Sequence, residues 1–268
     1  MAVDAAALNK SLFRKLQPAY VHRGMSETLV VNEIYLSLQG ESTFAGLPCI
    51  FVRLTACNLR CSYCDTAYAF TEGSKMAFQE ILDKITALSA PYKNAATQQK
   101  LPLIEFTGGE PLLQPSAPKL MKILCDAGFT VLVETSGALD ISAVDSRVHR
   151  IMDLKCPSSG EVARNRFENI KHLKSTDEIK FVIGTAEDYD WAKQQLTRHA
   201  LPSICPILFS WVSPLQEHQR VASLKSAPAG QTPITRKELV ERIIVDALPL
   251  RFQLQMHKFI WPPDERGV

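Results

Sequence analysis

The chain lacks a long apolar run. No stretch among its 268 residues approaches the roughly 18 uninterrupted apolar residues that a membrane span needs. It lacks an excess of one charge: 30 Lys and Arg face 28 Asp and Glu, for a net charge of +2. Neither a basic surface for nucleic acid nor an acidic tail is written in that balance, although a local group of Arg, Lys and His would still serve a small anion. The first residues carry Lys10, Arg14, Lys15 and Arg23 with only short apolar stretches between them. They lack the apolar core of about 7–15 residues that marks a secretory signal. A regular strand pattern begins only near Leu29, so residues 1–25 read as an extension, with Met25 a candidate start. Seven cysteines, an odd number without a signal peptide, disfavour a disulfide framework. These absences predict a cytoplasmic protein with neither a membrane nor a nucleic acid as partner.

What is present is an ordinary globular composition, 46% hydrophobic and 22% charged. Neither an internal repeat nor a sharp boundary divides it, which predicts one domain over residues 26–268. Short runs rich in Val, Ile, Leu and Phe predict strands at Leu29–Leu36, Cys49–Leu54, Leu103–Phe106, Thr130–Glu134, Ile151–Leu154, Glu178–Ile183, Ile207–Val212 and Phe252–Met256. Such runs suit buried parallel strands. Between them Phe78, Ile81, Leu82, Ile85 and Leu88 place an apolar stripe on a helix over 76–89. Pro118 and Gly128 bracket another at 118–127, and Glu187–His199 and Thr235–Ala247 predict two more. The alternation implies an α/β fold with a largely parallel sheet and right-handed crossovers. Residues 90–101 read as a polar surface loop, and residues 223–240, with Pro228, Gly230 and Pro233, as a flexible insert.

The chemistry is concentrated in Cys57, Cys61 and Cys64, spaced C-x3-C-x2-C on a loop after a strand. Soft thiolates this close select zinc, copper(I) or an iron–sulfur cluster. A structural zinc site needs a fourth Cys or His, and a four-iron cluster ordinarily takes four Cys. Three ligands on such a cluster would leave one iron open to a small molecule. The other cysteines, Cys49, Cys125, Cys156 and Cys205, read as buried small hydrophobes.

This spacing, with an aromatic residue (Tyr63) before the last cysteine, resembles the signature of radical S-adenosylmethionine (SAM) enzymes. The resemblance implies a 4Fe-4S cluster on Cys57, Cys61 and Cys64, with SAM on the open iron. SAM is then cleaved to a 5′-deoxyadenosyl radical that removes a substrate hydrogen. It also implies a partial, open (β/α) barrel with parallel strands, ligands lying at their C-terminal ends as in barrels generally. Thr107-Gly-Gly-Glu-Pro111 follows a strand and resembles the superfamily's GGE motif, which binds the SAM amino group. Gly108 and Gly109 would let the backbone approach a ligand, and Glu110 could accept from an ammonium.

The flanking segments resemble one family within the superfamily, 7-carboxy-7-deazaguanine synthase. They are Glu33–Glu41, Phe51–Leu54, Cys64-Asp-Thr66, Thr107–Gln114, Glu134–Gly137, Asp153–Pro157 and the tail from Gln255-Met-His-Lys258 to Val268. The resemblance implies conversion of 6-carboxy-5,6,7,8-tetrahydropterin to 7-carboxy-7-deazaguanine with loss of ammonia, in queuosine biosynthesis. It implies Mg2+ on Thr66, an electron donor such as flavodoxin or ferredoxin, and a homodimer. Gln39, Gly40 and Glu41 would meet the aminopyrimidinone edge of the pterin, with Thr107 beside them. Arg53 would pair its guanidinium fork with the substrate carboxylate, unless it is a paired barrel charge. His257, placed with Lys258 at the end of the last strand, would contact carboxylate or pterin, unless it is a core histidine. Tyr63, Ser136, Lys155 and Ser213 join Gly108, Gly109 and Glu110 on the SAM side. Ser136 departs from the Asn more usual at that position. Two other readings remain: another radical SAM enzyme such as a glycyl-radical activase, which acts on a partner protein, and a non-catalytic zinc or iron–sulfur module.

Overall fold

The computed structural model describes residues 27–92, 100–262 and 265–268. The expected extension at 1–25, and most of the polar loop at 90–101, lie outside the described residues.

Among the described residues nine strands form one sheet. They are β1 (Thr28–Leu38), β2 (Pro48–Leu54), β3 (Ser74–Ala77), β4 (Leu103–Gly108), β5 (Val131–Thr135), β6 (His149–Asp153), β7 (Glu178–Ile183), β8 (Ile207–Trp211) and β9 (Arg251–Gln253). Their order is β3-β1-β2-β4-β5-β6-β7-β8-β9. From β2 through β9 every neighbouring pair is parallel. On the other flank β1 runs antiparallel to both β2 and β3. The edges β3 and β9 do not pair, so the barrel stays open, as expected.

The helices α1 (Phe78–Ser89), α2 (Ala117–Asp126), α3 (Ala186–Arg198) and α4 (Arg236–Val245) occupy the predicted stretches. Thr185 caps α3, accepting from the amide of Asp188, and Thr235 caps α4 through Glu238 in the same way. Each satisfies an amide that the first helical turn leaves open. The outer face of β2, β4 and β5 packs Ile50, Val52, Leu54, Ile104, Phe106, Val131 and Val133 against α1 and α2. Ile179, Phe181, Ile183, Ile207 and Phe209 do the same for β7 and β8 against α3 and α4.

The inward-facing alternates divide the barrel interior. At its base Phe44, Cys49, Phe51, Leu103, Leu132 and Ile151 form an apolar plug. One strand step further along, the inward side chains are Arg53, Glu105, Glu134, Asp153 and Lys180, and these line a cleft of about 270 Å³. Alternation of side chains along a strand thus converts one sheet face from core to site within a few residues.

Three expectations are corrected. β3 was not foreseen, because Met76 and Ala77 fell inside the predicted helical stripe. The last strand ends at Gln253 instead of Met256, and His257 begins a short helix, α5 (His257–Ile260). The Met256 amide donates to the Gly40 carbonyl at 2.9 Å, drawing the chain off the sheet edge. Residues 236–240, counted in the flexible insert, belong to α4.

Candidate active site

The cysteine loop leaves β2 at Leu54, and the loop after β4 lies directly on it. The Gly109 amide donates to Leu54 O at 3.1 Å, and the Glu110 amide to Ala56 O at 2.8 Å. A Cβ on Gly108 (φ 123°) would fall 2.2 Å from Leu54 O, and one on Gly109 2.0 Å from Ala56 O. The two glycines are therefore required by contact between the two loops themselves. From the other side the Arg60 amide donates to Glu161 Oε1 at 2.7 Å. Ser62 donates from its amide to Ser159 O at 3.0 Å and from its hydroxyl to Ser158 O at 2.6 Å. Asp188, fully buried, holds the Ser158 amide at 2.8 Å.

Cys57, Cys61 and Cys64 are free thiols, and all three line the cleft. The remaining cysteines are buried and none of them lines it. Burial pushes all three thiols up, and Cys64 reaches about 12 with the Asp65 carboxylate adding to the effect. Thiolates here would need the positive charge of a bound metal group. Three soft donors on one wall, with no fourth cysteine in reach, fit a cluster that keeps one iron open. Among the described residues no three His, Cys, Asp or Glu side chains gather around a single-ion position.

The residues expected on the SAM side divide. Tyr63, Gly108, Gly109, Ser136, Lys155 and Ser213 line the cleft. The Tyr63 hydroxyl is buried without a hydrogen-bond partner. Glu110 is fully buried and does not line the cleft. Its carboxylate accepts from Leu112 N at 3.0 Å, Thr135 Oγ1 at 2.9 Å, Ser136 N at 2.7 Å and Ser136 Oγ at 2.5 Å. It thus joins the ends of β4 and β5 and orients Ser136. Lys155 Nζ rests on Asp153 Oδ2 at 2.7 Å, while Asp153 Oδ1 is buried without a partner.

The residues expected on the substrate side converge. Gly40 and His257 touch so closely that a Cβ on Gly40 would meet His257 Nδ1 at 2.4 Å. Glu41 accepts from Lys180 Nζ at 3.0 Å, Gln253 Nε2 at 3.1 Å and Gln255 Nε2 at 2.9 Å. Gln39 is buried, donating to Glu105 and accepting from the Glu41 amide. Thr107 Oγ1 approaches Glu134 Oε2 at 3.4 Å. Arg53 gives Nε to Glu33 and Nη2 to Tyr35 Oη, each at 2.7 Å. Thr66 donates to Asp65 Oδ1 at 2.9 Å, and Asp65 also receives Lys258 Nζ. Burial alone would push Asp65 up, but the Lys258 ammonium holds it below the usual carboxylate range. Burial lowers His257 below its ordinary value, with Glu41 and Asp65 opposing.

Two residues central to this arrangement were not foreseen. Lys180, 5% exposed, bridges Glu41 and Glu134, and Glu105, 1% exposed, anchors Gln39. The available signal was a charge inside an apolar strand run, the same feature that singled out Arg53.

Comparison with known proteins gives the class first. Residues 52–158 match the radical SAM superfamily model. The fold agrees with a crystal structure of QueE from Escherichia coli at a TM-score of 0.60, covering 86% of this chain and 95% of that one, at 19% identity. The family follows from sequence. The chain is 41% identical over 240 residues to a 7-carboxy-7-deazaguanine synthase of Koribacter versatilis, spanning 89% of this chain and 99% of the relative. It is 40% identical over 243 residues to the 7-carboxy-7-deazaguanine synthase of Chlorobaculum tepidum, spanning 90% and 97%. The chain belongs to the 7-carboxy-7-deazaguanine synthase family.

Proposed function

We propose that the protein converts 6-carboxy-5,6,7,8-tetrahydropterin to 7-carboxy-7-deazaguanine, with loss of ammonia, in queuosine and 7-deazapurine biosynthesis. The observation that carries this reading is a single cleft holding both the cysteine trio and the Gln39–Glu41, Arg53 and His257 group. A 4Fe-4S cluster on Cys57, Cys61 and Cys64, with SAM, supplies one-electron cleavage chemistry when bound.

The chain's own residues bind and orient. A carboxylate suits the paired donors of an aminopyrimidinone edge, and Glu41 is the acceptor for it. Glu41 now receives Lys180, Gln253 and Gln255, so the substrate would replace some of these bonds. Arg53 is fixed through Nε and Nη2. Nη1 and the second hydrogen of Nη2 then face a substrate carboxylate as an end-on fork. Thr66 spends its proton on Asp65, which leaves its oxygen lone pairs for Mg2+; that ion binds through few protein ligands and substrate oxygens. Ser136 and Lys155, held by Glu110 and Asp153, stand on the SAM side.

The reading extends to a homodimer and to flavodoxin or ferredoxin as electron donor. Sedimentation tests the first, and replacing a chemical reductant with either donor tests the second. No helix among the described residues is long and apolar enough to cross a membrane. The function is tested by supplying reconstituted protein anaerobically with SAM, a reductant and the carboxylated pterin. A deazaguanine product is expected. Deoxyadenosine formed without turnover of that pterin would favour the activase reading.

A further inference from the structure

Glu105 occupies an unusual position. It faces the barrel interior on β4, in register with Phe51 of β2 and Leu132 of β5, at the level where the apolar plug gives way to the cleft. An apolar side chain would fill that place at no desolvation cost. Instead a carboxyl is buried to 1% exposure, where an unbonded polar group is penalised. Tyr35, Glu41, Cys49, Arg53, Glu134 and Lys180 surround it. Burial pushes its pKa well above the usual carboxylate range; Glu134 and Glu41 add to this while Lys180 and Arg53 oppose it. Its hydrogen bond comes from Gln39 Nε2.

That bond orients the Gln39 amide. With Nε2 given to Glu105, Oε1 points back and accepts the Glu41 amide at 2.9 Å. Both ends of the Gln39 side chain are used inside the protein. Its backbone is fixed as well, the amide donating to Leu47 O and the carbonyl accepting from Gly46 N, each at 2.8 Å. The same turn carries Gly40, on which His257 rests and to which Met256 N donates.

We propose that Glu105 is a positioning residue for substrate recognition: through the Gln39 amide it sets the turn that presents Glu41 and seats His257. The proposal rests on the reading that Glu41 takes the aminopyrimidinone edge, and it changes the part given to Gln39 from contact to strut.

The test is steady-state kinetics of the reconstituted enzyme with the carboxylated pterin varied at saturating SAM. Glu105→Gln can still accept from Gln39, so its KM should stay within about threefold of the parent. Glu105→Leu should raise KM about tenfold, equivalent to about 1.4 kcal/mol, with iron content and pterin-independent SAM cleavage unchanged. Gln39→Leu should raise KM similarly, and the double variant should be no worse than either single one, as for two members of one chain of contacts. The proposal is overturned by an unchanged KM in Glu105→Leu, by equal impairment of Glu105→Gln and Glu105→Leu, or by additive losses in the double variant. Loss of iron along with KM would overturn it too, since that marks a general packing role. If Glu105→Leu does not fold, Gln39→Leu against the parent decides alone. Absence of pterin turnover by the parent enzyme, with SAM cleavage intact, would instead sink the functional reading.

Discussion

The two walls of the cleft are built on opposite principles. The cysteine wall is held by backbone: the Gly108–Gly109 segment lies on the Leu54–Cys57 loop with no room for a Cβ, and Ser62 is tied to the Ser158–Ser159 turn. The floor is held by charge: Glu41, Glu134 and Asp153 are balanced by Lys180 and Lys155 in a buried layer. A wall that must hold a preformed group gains from a rigid backbone. A floor that must accept a polar heterocycle gains from hydrogen bonds that can be exchanged. The cysteine wall should therefore fail through geometry and the floor through electrostatics.

The sharpest break in this contrast is Cys61→Ala. Deoxyadenosine formation should fall below detection and iron content should drop, while the acid–lysine floor leaves the fold standing; iron analysis and thermal unfolding check both. Next is Lys180→Met, which strands Glu41 and Glu134 without their shared ammonium. Removing one partner of a buried ion pair costs about 3–5 kcal/mol, read by denaturant unfolding. Adding Glu134→Gln should recover part of that loss. Gly109→Ala forces apart Leu54–Cys57 and the β4 loop, at about 1–3 kcal/mol, and should reduce iron retention more than Lys180→Met does. Thr66→Ala should leave stability within about 0.5 kcal/mol and remove only magnesium stimulation of turnover. The smallest effect concerns pH. The folded state lowers His257 below its ordinary 6.5, so the unfolded chain takes up the proton first. Its contribution is complete above pH 6.5 and is lost as pH falls below that value; His257→Gln should flatten the slope of stability in that window.

The same contrast explains what could be read from sequence. The cysteine wall was legible because its ligands sit within eight residues and its glycines within a short motif; local spacing encodes a local shape. The strands of the parallel sheet were legible from their apolar runs, and α1 to α4 from period and caps. The floor was legible only at Glu41, which sits in a local motif; Lys180, Glu134 and Glu105 come from three separate strands and are brought together by sheet register. Lys180 interrupts an apolar run, and Asp153 beside it in register on β6 faces the same interior. Glu110, expected to accept from an ammonium, receives four donors of the chain itself. β3 and the turn into α5 were hidden for a related reason: both are set by distant partners, β1 and Gly40.

The central claim is that three thiolates hold a cluster with one iron open to SAM. It is tested most directly by electron paramagnetic resonance of the reduced, reconstituted protein before and after adding SAM. The account predicts about four irons per chain and a cluster signal that changes when SAM binds. A signal indifferent to SAM, or a colourless protein carrying one zinc after reconstitution, would contradict it.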